Sequence, residues 1–421
     1  MMENICEGRL CTGCAACGQI CPQGAITMTE NEEGFLYPQI NGGLCNDCGL
    51  CARTCPINAA CEDTGTQKAT AAGDTGAQRP PEIVCMDAEV QNGQQSDKPA
   101  GARHKVYACF TTDEDIRSRS SSGGVFTQLA IKVLSEDGVV FGAGFDETFK
   151  VRHKYIENKD DLDGLRRSKY VQSDTAATFR EAKAFLKEGR AVLYCGTPCQ
   201  IAGLKAFLNK GYDNLLTCDL ACHGVPSPKV WKMFLGFLRD QYKSNVKSVS
   251  FRDKSTGWNN SSMKIEFENG SRYMDRVKRE TFFVGFGKSI FNRSSCYDCR
   301  FRIGSTKADI TLADFWGIDK QNDAEFTDNK GVSLIITHTE AGEKALSQLG
   351  GRIFMKQCTL EEAVKYNPRL VSSVGEPAGR RSFFEELGSG HSFDRLRRKY
   401  MDNFSLKYKA KTLAKHLLGK A

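Results

Sequence analysis

Long apolar runs are missing from this sequence. The longest, Val139 to Phe145 and Ala191 to Cys195, fall far short of the roughly 18 residues that a membrane-spanning helix needs. The opening stretch, Met1 to Gly8, lacks the basic and apolar regions of a secretory signal, so a cytoplasmic location is expected. Most of the chain also lacks an excess of charge of either sign. Its net charge of +7 (58 Lys+Arg against 51 Asp+Glu) matches the tail alone, where eleven Lys+Arg face four Asp+Glu from Arg380 onward. Such a tail could meet nucleic acid, anionic lipid or an acidic partner. However, Phe393, Leu396, Tyr400, Phe404 and Leu406 recur at helical spacing, which favours packing, and nucleic acid is not expected as a partner.

What is present in quantity is cysteine: nineteen residues in 421. Without an export signal, disulfides are disfavoured and metal or cluster ligation becomes the better reading. An apolar fraction of 40% and a charged fraction of 26% are ordinary for a protein with a real core, and the length allows two or three domains.

Residues 5 to 57 contain an internal repeat. Cys11, Cys14, Cys17 and Cys21-Pro22 form the first copy, and Cys45, Cys48, Cys51 and Cys55-Pro56 the second. Three thiolates at i, i+3 and i+6 wrap tightly around one iron–sulfur cube, and in this pattern the fourth serves the other cube. The spacing therefore predicts two [4Fe-4S] clusters, one on Cys11, Cys14, Cys17 and Cys55 and the other on Cys45, Cys48, Cys51 and Cys21. Structural zinc usually draws two separate ligand pairs instead. Cys6 is left without an expected ligand role. The module resembles bacterial two-cluster ferredoxins, with short strands expected at Ala25–Thr29 and Gly34–Ile40.

The polar segment that follows has almost no large apolar residues and reads as a linker, leaving the first module free to move. Globular patterning resumes near Lys105. Apolar strands alternate with helices at Gly124–Leu134, Thr175–Glu188 and Ala202–Asn209, predicting an α/β core with a largely parallel sheet. The expected organisation is 1–58 two-cluster module, 59–103 linker, 104–240 and 241–384 two parts of a mixed α/β core, and 385–421 basic tail.

Within the core, Cys296 and Cys299 form a C-x2-C pair that needs two further thiolates. Cys195 and Cys218 sit inside apolar strands, where cysteine usually acts as a small hydrophobe. Cys199 and Cys222 lie in the loops beyond, so the ligand set is Cys199, Cys222, Cys296 and Cys299. Spacing alone leaves zinc and a third [4Fe-4S] cluster both open, and electron supply from the first module favours the cluster. Arg117 to Phe126 is a hydroxyl- and glycine-rich loop opening a helix, either a phosphate cradle or simply a cap.

The segments SSSGGVF, SKYVQS, GTPCQIAGL, CHGVPSP, CYDCRF and ADITLADFWG resemble the beta subunit family of coenzyme F-420 hydrogenases and dehydrogenases over roughly 105–384. The joined two-cluster module resembles its stand-alone bacterial members. This resemblance implies an FAD-binding iron–sulfur oxidoreductase with a ferredoxin or a hydrogenase- or dehydrogenase-type subunit as redox partner, and a small-molecule acceptor. A homo-oligomer is also compatible with it. It implies flavin contacts at Ser121, Ser122, Gly123 and Gly124, at Lys169 and Tyr170, and at Gly196, Thr197 and Gln200. His223 and Lys169 become candidate catalytic residues. The alternative is a non-catalytic electron-transfer subunit feeding a partner enzyme.

Overall fold

The computed structural model describes residues 4–63, 104–320 and 324–402. Cys85, Phe404 and Leu406, together with most of the expected linker, lie outside the described residues.

The first module is built on two short helices, Ala16–Ile20 and Leu50–Arg53, and an antiparallel hairpin of β1 (Ile26–Glu30) and β2 (Leu36–Ile40). The residue after the second cysteine of each copy, Ala15 or Gly49, has a left-handed backbone (φ 59° and 70°). That bend turns the chain into a helix immediately after the first two thiols, so the third joins them. The helix Pro56–Asp63 starts at the proline that follows the last cysteine.

The larger region carries β3 (Lys105–Thr111), β4 (Val139–Phe145), β5 (Val151–Ile156), β6 (Val192–Cys195), β7 (Leu215–Leu220), β8 (Val246–Asp253), β9 (Ser262–Phe267), β10 (Arg272–Arg276), β11 (Ile310–Asp314), β12 (Ser333–Thr337) and β13 (Ile353–Cys358). Eight of them form one sheet in the order β13-β3-β12-β11-β7-β6-β4-β5, and β8, β9 and β10 form a separate antiparallel sheet. The main sheet is more mixed than the strand–helix alternation implies. Strands β4, β6, β7 and β11 are parallel, whereas β5, β12, β3 and β13 join antiparallel. Alternation reveals which segments are buried on both faces, but not the direction in which the outer strands return.

The helices Val125–Ser135, Thr178–Lys187 and Pro198–Leu208 flank this sheet. The last starts four residues earlier than apolar spacing suggests, because Thr197 and Gln200 form a capping box around Pro198, which suits a first helical turn. Its N-terminus stands just beyond the carboxyl end of β6. Cys199 therefore sits in the first turn of this helix and not in a loop, while Cys222 lies in the loop after β7, so both reach the same end of the sheet, where ligands of open α/β sheets gather.

The first module is locked onto the core, contrary to the freedom that the polar segment suggests. Phe35 is fully buried in an aromatic core shared with Trp231, Phe234, Phe251, Phe282, Phe291, Phe383 and Phe384. Glu33 takes a two-pronged ion pair from Arg380, at 2.9 and 2.5 Å. Thr175 Oγ1 donates to the Cys14 carbonyl at 3.0 Å, Gln172 Nε2 to that of Thr12 at 2.9 Å, and Arg180 Nε to that of Gln19 at 2.6 Å. Linker composition describes only the linker; the docking face is made by residues scattered over the whole chain. Phe393, Leu396 and Met401 are buried in the same aromatic core, so the start of the basic tail packs as its helical spacing predicts.

Candidate redox site

The eight N-terminal cysteines divide into two groups. Cys11, Cys14, Cys17 and Cys55 line one small hollow, and Cys21, Cys45, Cys48 and Cys51 line another. The fourth cysteine of each copy therefore lines the hollow of the other copy. Among the described residues, no three His, Cys, Asp or Glu side chains converge as they do around a single ion. Four thiols spread around a hollow suit a four-iron cube, whose corners are set apart.

The hollows differ in exposure. Cys11, Cys14, Cys17 and Cys55 are buried beneath the core, whereas Cys48 is exposed and Cys21, Cys45 and Cys51 are half-buried beside the exposed Leu44. Cys6 also lines the buried hollow. Its thiol lies within hydrogen-bonding reach of Cys11 and Cys55 and holds both below the usual thiol range. Arg293 adds to the effect at Cys11.

The structure also brings Cys199, Cys222, Cys296 and Cys299 together, near enough for the other three to raise the Cys222 thiol beyond what burial does. Burial pushes Cys199 up to about 11 and Cys296 to about 12. Thiols held this way keep their protons until a metal displaces them, so loading this quartet releases protons. Val225 donates its amide to Cys296 Sγ at 3.4 Å, the Thr197 hydroxyl lies 3.2 Å from Cys199 Sγ, and Arg302 donates to the Cys222 carbonyl at 2.9 Å. Cys218 stays buried in the sheet core, with Cys195 packed against that core.

One helix links this quartet to the buried N-terminal one. Cys199 and Gly203 lie one turn apart on the helix Pro198–Leu208, about 6 Å along its axis. A Cβ on Gly203 would stand 2.9 Å from both Cβ and Sγ of Cys14, so only glycine permits this approach. Cys199 and Cys299 share an apolar packing group with Cys6, Cys17, Cys51, Cys55, Ala202 and Phe301.

A separate cleft of about 340 Å3 opens beside Lys169. Arg119, Lys154, Arg166, Arg167 and Lys169 line it against the single acid Asp163, with Phe145 and Phe251 as apolar walls. Lys169 is half-buried and donates to the carbonyls of Leu165 and Arg166 at 2.9 and 2.6 Å. Burial, then the neighbouring Lys154, pushes its ammonium down to about 7. Three residues on, Gln172 contacts the first module, so SKYVQS runs from the cleft to the buried hollow.

The remaining expected contacts are spent within the protein. Ser121 Oγ accepts the amide of Ser168, a cleft residue, at 2.9 Å. Ser122 donates to the Val332 carbonyl and the Gly123 amide to Ser333 Oγ. A Cβ on Gly123 would lie 2.4 Å from the Cys109 carbonyl oxygen, and Gly124 (φ 89°) caps the helix Val125–Ser135. The Gly196 amide donates to Cys218, while Gln200 Oε1 accepts the Thr197 amide and Gln200 Nε2 donates to Ser173. These residues thereby fix the helix start that carries Cys199. Tyr170 packs edge-on against Phe251, Phe283 and Phe286. His223 follows Cys222, where desolvation, then Arg369 and Arg302, push its imidazole below the usual range.

Sequence reasoning missed Lys154, Arg166 and Arg167 as cleft residues, although Arg166-Arg167 stands directly before the SKY segment; Arg119 lies in the loop read as a possible phosphate cradle, but was not singled out there. It also missed Arg293, which carries no motif of its own.

Comparison with known proteins accounts for both regions. Residues 10–59 match a 4Fe-4S dicluster domain. Residues 106–180 match the N-terminal domain of the coenzyme F420 hydrogenase/dehydrogenase beta subunit, and residues 189–361 match its C terminus. No curated protein matches. A chain of the F420-reducing [NiFe] hydrogenase complex from Methanosarcina barkeri is 17% identical, with a TM-score of 0.42, over 72% of this chain and 94% of that one. The N- and C-terminal matches stand in order and together span more than half of the sequence, so the chain belongs to the coenzyme F420 hydrogenase/dehydrogenase beta subunit family, as an iron–sulfur oxidoreductase subunit with a 4Fe-4S dicluster domain.

Proposed function

We propose that this protein is a flavin-dependent oxidoreductase that relays electrons between a one-electron partner protein, ferredoxin-like or a hydrogenase-type subunit, and a two-electron organic acceptor. When bound, iron–sulfur clusters supply single-electron transfer, and FAD supplies the exchange between one-electron and two-electron chemistry.

The observation that carries this reading is the succession of three cysteine quartets, one facing solvent, one buried between module and core, and one half-buried in the core. The quartet Cys21, Cys45, Cys48 and Cys51 faces solvent, where a partner can approach. The quartet Cys11, Cys14, Cys17 and Cys55 lies beneath the core, and the quartet Cys199, Cys222, Cys296 and Cys299 is one helical turn beyond its Gly203 contact. All twelve cysteines are assigned as ligands.

The cationic cleft is the assigned flavin site. Its volume lies within the usual range for small-molecule pockets, and five cations match a pyrophosphate. Arg119, Arg166 and Arg167 would hold the phosphates, Phe145 and Phe251 would bound the apolar part, and Lys169 would stand at the ring as a proton donor. Ser121 to Gly124 and Gly196, Thr197 and Gln200 support the walls and the helix start; His223 fixes the loop at Cys222. The protein works in the cytoplasm in this reading.

Anaerobic iron, sulfide and flavin quantification tests it. About twelve iron and one FAD per chain are expected for three four-iron clusters. About eight iron without flavin would overturn it in favour of an electron-transfer subunit.

A further inference from the structure

Arg293 is fully buried, yet among the described residues it pairs with no carboxylate. Its Nε donates to the Cys11 carbonyl at 2.7 Å, and Nη2 reaches both the Cys11 sulfur at 3.6 Å and the Leu36 carbonyl at 3.0 Å. Nη1 donates to Gln172 Oε1 at 3.1 Å. The guanidinium lies 4.1 Å from the centre of the Tyr37 ring and 5.4 Å from that of Phe35.

The same residue is anchored on the core side. Its amide donates to the Val225 carbonyl, and its own carbonyl accepts the amide of Cys296, each at 3.0 Å. Its charge acts on Cys11 in the first module and on Cys199 and Cys296 in the core. Gly13 makes room for it, since a Cβ there would stand 2.8 Å from Nη1.

A buried cation without a counter-charge is strongly destabilising. The partners that surround this one are neutral carbonyls, rings and an amide, which leaves cysteine sulfur to supply the negative charge. A cube carried by four thiolates is anionic and becomes more so on reduction. We infer that Arg293 is the shared counter-ion of the buried N-terminal cluster and the core cluster, a positioning residue that favours the reduced form of both. The inference rests on the proposed ligand sets and goes beyond them, because it assigns which clusters respond to one charge.

The Coulomb term of a buried charge is large at these distances, and cluster potentials follow net charge and hydrogen bonds to sulfur. Removing the cation lowers both potentials. The exposed cluster on Cys21, Cys45, Cys48 and Cys51 lies outside these contacts and serves as the internal control.

The test is an anaerobic redox titration followed by EPR on R293Q and R293K of the full chain, with iron and sulfide measured on the same samples. R293Q, uncharged, is expected to retain its iron, to lower the potentials of the buried and core clusters and to leave the exposed one unchanged. R293K keeps the charge and should stay near the parent. Unchanged potentials in iron-replete R293Q, or equal shifts of all three clusters, would overturn the inference. Should R293Q fail to fold, R293K decides: a large fall in potential despite the retained charge would equally overturn it. Iron near eight in the parent protein would instead remove the core cluster, and with it the proposed function, while leaving the Arg293 effect on the buried cluster measurable.

Discussion

Two copies of one cysteine spacing end in opposite surroundings. The copy from Cys11 to Cys21 lies under Gly203, Arg293 and Gln172, and the copy from Cys45 to Cys55 sends Cys48 into solvent. Local chain geometry is nearly the same in both, down to the left-handed residue after the second cysteine. What differs is the surface that covers them. Spacing thus decides that a cluster can form, whereas the covering surface decides how dry, how charged and how accessible it is.

The largest contrast should come from breaking one quartet at a time. C48S is expected to remove about four of roughly twelve iron atoms and to leave thermal stability nearly unchanged. C14S should remove a similar share and also lower Tm markedly, because its sulfur is part of the contact with the core. Iron analysis with calorimetry checks both, and equal loss of stability in the two variants would erase the distinction.

Next in size is the docking surface itself. F35A empties a fully buried aromatic site and should cost about 3–5 kcal/mol, measured by denaturant unfolding. E33Q weakens the paired hydrogen bonds from Arg380 and should cost about 1–3 kcal/mol. Both should raise amide exchange at the face of the first module that meets the core, while the turn around Cys48 exchanges as before.

The smallest effect concerns the cleft. With the Lys169 ammonium pushed down to about 7, the free cleft loses this charge as pH rises through neutrality, and anion binding must then take up a proton. Affinity for FAD is therefore expected to be greatest below pH 7 and to fall above it, by at most about tenfold per unit for one coupled proton. K169M should flatten that slope. The residual affinity is expected from Arg119, Arg166 and Arg167, which line the same cleft.

Legibility followed the same contrast. The hairpin at Ile26–Ile40 and the strands β3, β4, β6, β7, β11 and β12 were readable because burial on one or both faces leaves a periodic trace. The offsets of the eight N-terminal cysteines anticipate which of them line each hollow. Arg293 left no trace, since its meaning comes from Cys11, Leu36 and Gln172, which lie far away in the chain. The cleft was only partly readable. Lys169 falls in a motif and Arg119 in the loop read as a possible phosphate cradle, but Lys154 converges on them through tertiary packing alone. Ser122, Gly123 and Gly124 illustrate the converse, because a glycine-rich loop at a helix start serves a close approach to β3 as readily as it serves a ligand.

The glycine contact with Cys14 also constrains how this chain can change. Gly203 and Cys199 share a face of one helix because they are four residues apart. Inserting a single residue between them would turn that face by about 100°, directing a side chain at the sulfur and carrying the glycine away. The strand ends and surface turns can lengthen without such a penalty. The interval from Cys199 to Gly203 is therefore fixed in length as strictly as the spacings within the cysteine motifs themselves, although it carries no motif of its own.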